Sequence, residues 1–367
     1  MNIKTITCHD VYNYGASLQA YALQEYLISQ GHDVEIIDYK PDYMRVHYKF
    51  WYVSENSHYY RLAMKSRVIR FLLCCYFAPR RFATYGRKIK FDKFTKKFLH
   101  LTRRYNSYEE VVANPPAADI YIAGSDQIWN SNLPNGKDPG YFLQFGDEKA
   151  RRIAYAASFG IPEVEAGHRP TMSKWLNSFD AISVREKTAL GILETLDVEG
   201  VNVVDPVFLL NKEQWSRFAG DNRVYKDKYI LVYDIDLDND DIRIEAERLH
   251  KLYNYKIVAV CALGKNPYAQ KSIKNAGPQE FVNLIKNAEF VLSNSFHATS
   301  FSIIFNRPFS TFYKKKNVSR MADLLKSTEL EHCLNPTSPR YQFRWDDINN
   351  KLQELCSNSF DYIKNNI

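Results

Sequence analysis

The sequence predicts an α/β fold of two Rossmann-like domains facing a shared cleft, with a basic helical insertion in the first. Three observations carry this. Short apolar runs that end in small or polar residues alternate with stretches of helical spacing along both halves of the chain, the pattern of parallel sheets that bind ligands at the carboxyl ends of their strands. A length of 367 residues fits two domains better than one. The stretch 289–309, EFVLSNSFHATSFSIIFNRPF, reads as strand, tight polar loop and helix, and such a loop gathers hydroxyls, an imidazole and free helix N–H groups at one point.

The chain opens with an alternating strand at 3–8 (IKTITC), the loop HDVYNYGAS and a helix (LQAYALQEYLISQG) that Gly31 ends. Ala20, Leu23 and Leu27 share one face of that helix and Glu25 lies opposite, as in an amphipathic helix. Strand DVEIIDY then completes a βαβ unit. Gly15, with Asn13 before it, sits where a residue without Cβ lets a ligand approach the backbone, although no GxGxxG pattern supports NAD or FAD. A plain turn into the helix fits Gly15 equally well.

The insertion spans 45–104 and reads as two or three helices, 59–77 and 87–99 among them. It holds sixteen Lys and Arg against Glu55 and Asp92, a local charge of +14, while the whole chain carries +7. Aromatic residues are interleaved with the cations, so the segment suits anionic headgroups or a lipid-linked pyrophosphate. Solvated helices with basic outer faces are the plainer reading. No zinc or RNP-like pattern accompanies the charge, so nucleic acid is not an expected partner.

The first sheet resumes at 120–123, which runs into the Gly-Ser-Asp loop containing Asp126. Asp126 suits sugar hydroxyls or a base's role, and equally a cap. Strand 152–156 opens onto Ser158, strand DAISVRE ends in Arg185, and VNVVDPVFLL closes the first domain, placed at 1–205. The second, 206–367, contains strand 229–234, helix 241–253, strand 256–261, helix 278–288 and the loop Ser293-Asn294-Ser295-Phe296-His297. After strand 309–313 come a basic turn at 314–316 and helix 321–325. His297 is the leading candidate for a proton-transferring group, because imidazole titrates near neutral pH. A helix-capping or carbonyl-bonding histidine is the alternative, and His9 is a weaker candidate of the same kind.

Six cysteines without CxxC or metal-ligand spacing suggest a reduced cytoplasmic protein and no metal. No signal-peptide pattern and no apolar run of membrane-spanning length stand out.

The motifs NYGASLQAYAL, GSDQIWN, AASFG, ISVRE, DPVFLL and NAEFVLSNSFHATSFSIIFNRPF, in that order, resemble the polysaccharide pyruvyl transferase family from residue 13 to about 325. The resemblance implies a GT-B-like fold and transfer of the pyruvyl group of phosphoenolpyruvate to two sugar hydroxyls as a cyclic ketal. It implies His297 as acid and Arg185 as a ligand of the donor's anionic groups. Asp126 and Ser158 fall in matching motifs, with roles inferred from position. Where better-known members have arginine two residues before the histidine, this chain has Ser295, so Arg307 or Arg320 would have to supply the charge. The implied donor is phosphoenolpyruvate with no further cofactor. The implied acceptor is a lipid-linked capsular or exopolysaccharide unit, met at the inner membrane face through 45–104. A glycosyltransferase using a nucleotide sugar and a catalytically silent scaffold of polysaccharide assembly are the alternatives.

Overall fold

The computed structural model describes residues 1–45, 59–235, 238–261, 265–313, 319–339 and 341–367, without the side chains of 45, 78–84 and 319. The basic turn at 314–316 and the start of the insertion lie outside the described residues.

Among the described residues, two parallel sheets organise the chain. The first has seven strands in the order β3-β2-β1-β4-β5-β6-β7: β1 Asn2–Ile6, β2 Asp33–Tyr39, β3 Leu101–Tyr105, β4 Ile120–Ala123, β5 Arg151–Ala157, β6 Ala181–Val184 and β7 Val201–Asn202. The second has five, in the order β10-β9-β8-β11-β12: β8 Tyr229–Tyr233, β9 Lys256–Val260, β10 Lys271–Ile273, β11 Phe290–Ser293 and β12 Phe309–Thr311. Chain order reverses between β1 and β4 in one sheet and between β8 and β11 in the other. Such switch points open a crevice at the strands' carboxyl ends, which is where the loops after β1, β4, β8 and β11 lie. The α/β class with two Rossmann-like sheets is as predicted.

The helix Tyr14–Ser29 is less amphipathic than its sequence suggests, and its position explains why. Leu23 and Leu27 pack on Ile3, Val34 and Ile120 of its own sheet. Tyr14, Leu18 and Ala22 join a core with Trp215, Phe281 and Phe301 of the second half. A helix covered on two sides reads as apolar nearly all round. Tyr14 fastens the junction: its ring stacks on Phe281 at 4.2 Å and its hydroxyl donates to Ala276 O at 2.8 Å.

The insertion departs from expectation. Its two predicted helices are a short one, Tyr60–Lys65, and a single helix, Arg67–Phe98, that runs through Pro79. The last residues assigned to the insertion form β3, an edge strand beside β2. Part of the insertion belongs to the core, since Phe91 and Phe94 are buried among residues of both halves.

The helix Trp345–Asn366, assigned by sequence to the second domain, returns to the first. Tyr362 Oη donates to Ala154 O at 2.8 Å, Ser359 Oγ accepts from Val204 N at 3.0 Å, and Tyr362 and Ile363 pack with Ile153 and Tyr155.

Candidate active site

Four strand ends build the site. β6 delivers Arg185 and Glu186, the turn after β7 delivers Asp205, β11 delivers the loop that starts the helix Phe296–Ile304, and the helix after β1 supplies its first turn.

Asp205 lies at the centre, its side chain fully buried. Val207 N donates to Oδ1 at 3.0 Å, Arg185 Nη1 donates to Oδ2 at 2.7 Å, and His297 Nε2 stands 3.6 Å from Oδ2. Burial alone would push this carboxyl up, but the facing imidazole of His297 and the guanidinium of Arg185 outweigh it and hold it well below the usual carboxylate range. Arg185 Nε and Nη2 and His297 Nε2 are buried and have no hydrogen-bond partner among the described residues. Phe296 covers Arg185, with its ring centroid 5.0 Å from the guanidinium carbon.

Gly15 does something other than admit a ligand to the backbone. It lies in the first turn of its helix, and a Cβ placed there would stand 2.0 Å from His297 Nδ1 and 2.2 Å from Cε1. The glycine makes room for the imidazole, which it meets from across the domain junction. Asn13 is the N-cap, its Oδ1 accepting from Gly15 N at 2.8 Å and Ala16 N at 3.3 Å.

The residues flanking His297 hold the loop in shape. Ser293 Oγ donates to Tyr233 O at 2.6 Å and accepts from Ser295 N at 3.0 Å. Asn294 Nδ2 donates to Asp234 Oδ1 at 2.7 Å while its Oδ1 accepts from Ile235 N at 2.9 Å. Ser295 is the N-cap of the next helix, with Oγ 3.5 Å from Ala298 N. Its oxygen is therefore directed to the helix.

The two arginines proposed to replace the missing charge part company. Arg307 lies at the amino end of β11, donating to Ala288 O at 3.4 Å, on the opposite edge of the sheet from His297. It is not brought to the site, because the turn before β12 returns the chain to the strands' starting edge. Arg320 is brought there: with Arg185, Asp205 and Phe296 it lines a cavity of about 310 Å³. Burial lowers the pKa of Arg320, neighbouring Arg185 lowers it further, and Glu186 and Asp126 act the other way. Gln127 Oε1 accepts from Asn130 Nδ2 at 2.8 Å, and with the carboxamide turned end for end its oxygen would stand 3.0 Å from Arg320 Nη2. Lys187 and Asp323 complete the charged part of the wall. His297 is outside this wall but shares Asp205 with it.

Asp126 adopts φ +72°, an uncommon conformation for a residue with a side chain. Its carbonyl accepts from Ile128 N at 2.8 Å and Ser158 N at 3.1 Å, knitting the β4 loop to β5, and its charge acts on both Arg185 and Arg320. Ser158 Oγ donates to Glu186 Oε1 at 2.8 Å, and Phe159 N and Gly160 N reach the same oxygen at 3.1 Å. Ser158 thus orients a carboxylate. His9 lies apart, after β1, with Nε2 3.4 Å from Asp38 Oδ1. Asp205 and Glu186 are the residues that sequence reasoning missed, although both stand in quoted motifs, DPVFLL and ISVRE.

Residues 13–315 match the family described as polysaccharide pyruvyl transferase. The chain belongs to that family. No protein with a curated description matches it significantly. Similar solved structures include UDP-GlcNAc 2-epimerase from Methanocaldococcus jannaschii in complex with UDP-GlcNAc and UDP, at 14% identity and TM-score 0.49 over 97% of this chain and 93% of that one. UDP-GlcNAc 2-epimerase from Neisseria meningitidis bound to UDP-GlcNAc follows at 11% and 0.46, over 99% and 93%. The spinosyn forosaminyltransferase SpnP gives 9% and 0.42, over 98% and 92%. In this member of the pyruvyl transferase family, Arg185 and Arg320 line one cavity with Asp205, while the position two before the histidine is Ser295.

Proposed function

We propose that the protein transfers the pyruvyl group of phosphoenolpyruvate to a sugar of a lipid-linked capsular or exopolysaccharide unit as a cyclic ketal. The observation that carries this is the pair of guanidiniums, Arg185 and Arg320, on one small cavity, with N–H groups on Arg185 that lack a hydrogen-bond partner among the described residues. Like charges brought together out of water suit an anionic ligand, and phosphoenolpyruvate offers a carboxylate and a phosphate.

With those groups on Arg185 and Arg320, the enol end must point past Asp205 toward His297. His297, as imidazolium beside the Asp205 carboxylate, gives its proton to the methylene carbon. The neighbouring carbon becomes oxocarbenium-like and takes the oxygen of the first sugar hydroxyl, whose proton passes to Asp126 as base. The carbon–oxygen bond to phosphate then breaks, the second hydroxyl adds, and its proton leaves with phosphate. One proton enters at carbon and one is lost from the first hydroxyl, so the sequence balances. Ser293, Asn294, Ser295, Asn13 and Ser158 hold the loops that aim these groups.

A thermal-shift titration tests the donor. Phosphoenolpyruvate should stabilise the protein saturably, with the shift weakened in Arg320→Gln. Stabilisation by UDP-sugars alone would move the assignment to glycosyl transfer.

A further inference from the structure

The helices at 59–77 expose a different kind of surface. The helix Tyr60–Lys65 folds back on the start of Arg67–Phe98, and the small core between them consists of Ala63 and Cys74 with Leu73 against it. That core leaves most of the segment's large apolar side chains outside. Val68, Leu72 and Tyr76 are 67%, 60% and 74% exposed, and Leu62 and Met64 are 47% and 61% exposed. Val68, Leu72 and Tyr76 follow one another at i, i+4 and i+8, so they form a stripe along one face. Exposed cations at Arg61, Lys65 and Arg67 flank them, and the sequence contains no acid between Glu55 and Asp92.

We infer that this two-helix face is a docking surface for an anionic lipid bilayer, lying in the interface with its apolar stripe among the acyl chains and its cations among the headgroups. Charge decides between occupants. A second copy would set cations against cations, with no carboxylate among residues 59–77 to offset them. A bilayer containing anionic lipid satisfies the apolar stripe and the cations together. Among the described residues no helix is long and apolar enough to cross a membrane, so the contact is one of lying on the surface. The far end of the same long helix fixes the docked face relative to the site: Arg87 Nη2 donates to Tyr12 O at 2.7 Å, and its guanidinium sits 5.0 Å from the centroid of Tyr14, the residue before Gly15. The inference does not depend on the identity of the donor.

Flotation of the purified full-length chain with vesicles tests it. The chain should float with vesicles of equimolar phosphatidylglycerol and phosphatidylcholine, far less with phosphatidylcholine alone, and less as salt rises. Leu72→Glu and, separately, Arg67→Glu should each lower the apparent affinity about tenfold or more, with melting temperatures unchanged because both side chains are exposed. Absence of flotation on the anionic vesicles, or flotation that neither variant reduces, would overturn the inference. So would a dimer in sedimentation equilibrium that Leu72→Glu dissolves. Phosphoenolpyruvate plays no part in the assay, so its outcome is separable from that of the donor titration.

Discussion

Replacing Asp205 by asparagine would leave Arg185 a buried cation whose nearest remaining carboxylate is Glu186, 3.9 Å from Nε. Breaking a buried pair from one side costs about 3–5 kcal/mol, so Asp205→Asn should unfold at markedly lower urea than the parent at pH 7. The pH dependence has a definite sign. The folded-state pKa of Asp205 is depressed, so its stabilisation is fully present above the unfolded value of about 4 and is lost as pH falls toward the folded value. The gap between the parent and Asp205→Asn in urea melts should therefore narrow below about pH 4; a constant gap would mean that packing rather than charge holds the residue. Gly15→Ala tests the opposite wall of the site. Its methyl would occupy space taken by the His297 ring, and misplacing a reacting group by about 1 Å can cost about 100-fold in rate. The expected result is a large fall in kcat with little loss of fold. The positions of His297 and Arg185 after strands are legible in the sequence because strand-loop-helix patterning marks strand ends, whereas Arg320, in the helix Ser319–Ser327, enters only as one of two arginines that the resemblance asks to supply a charge. Asp205 is not legible in this way, since an Asp before a Pro reads as a turn former and its role comes from His297 and Arg185, distant in sequence.

At the scale of elements, the helix Tyr14–Ser29 carries the junction, and Tyr14 is its main contact. Tyr14→Ala would remove the stack on Phe281 and the hydrogen bond to Ala276 O, a loss of about 3 kcal/mol or more for a large buried ring, measurable by denaturant titration. Lys90→Ala would break only the ion pair with Glu280, in which both side chains are about a third exposed or more, and should cost less than about 1 kcal/mol. The contrast checks that apolar packing rather than charge holds the two halves together here. Most strands were legible from periodicity. β3 was missed because an edge strand reading LTRRY keeps its charged residues toward water, and such edges lack an apolar run. The continuous helix Arg67–Phe98 was missed because Pro79 ordinarily ends a helix.

The molecule as a whole has two sheets but not two independent cores. One cluster runs from Tyr14 and Leu18 through Phe91 and Phe94 to Trp215, Phe281, Phe301 and Cys356, joining the first helix, the inserted helix, the second sheet's layers and the C-terminal helix. The sequence could locate two sheets, because each announces itself by local alternation. It could not show that the last helix returns to the first sheet, since that depends on which apolar face lacks a cover. Domains whose interface is mainly polar can unfold separately; here the interface is part of the largest apolar cluster, so neither half can lose its structure without exposing the other's core. Calorimetry on the intact chain should give a single transition whose van't Hoff and calorimetric enthalpies agree. Tyr14→Ala should lower that transition without splitting it. Two resolved transitions in the parent would mean that the cluster spanning the junction does not couple the halves, and that the geometry joining Gly15 to His297 is set by each half alone.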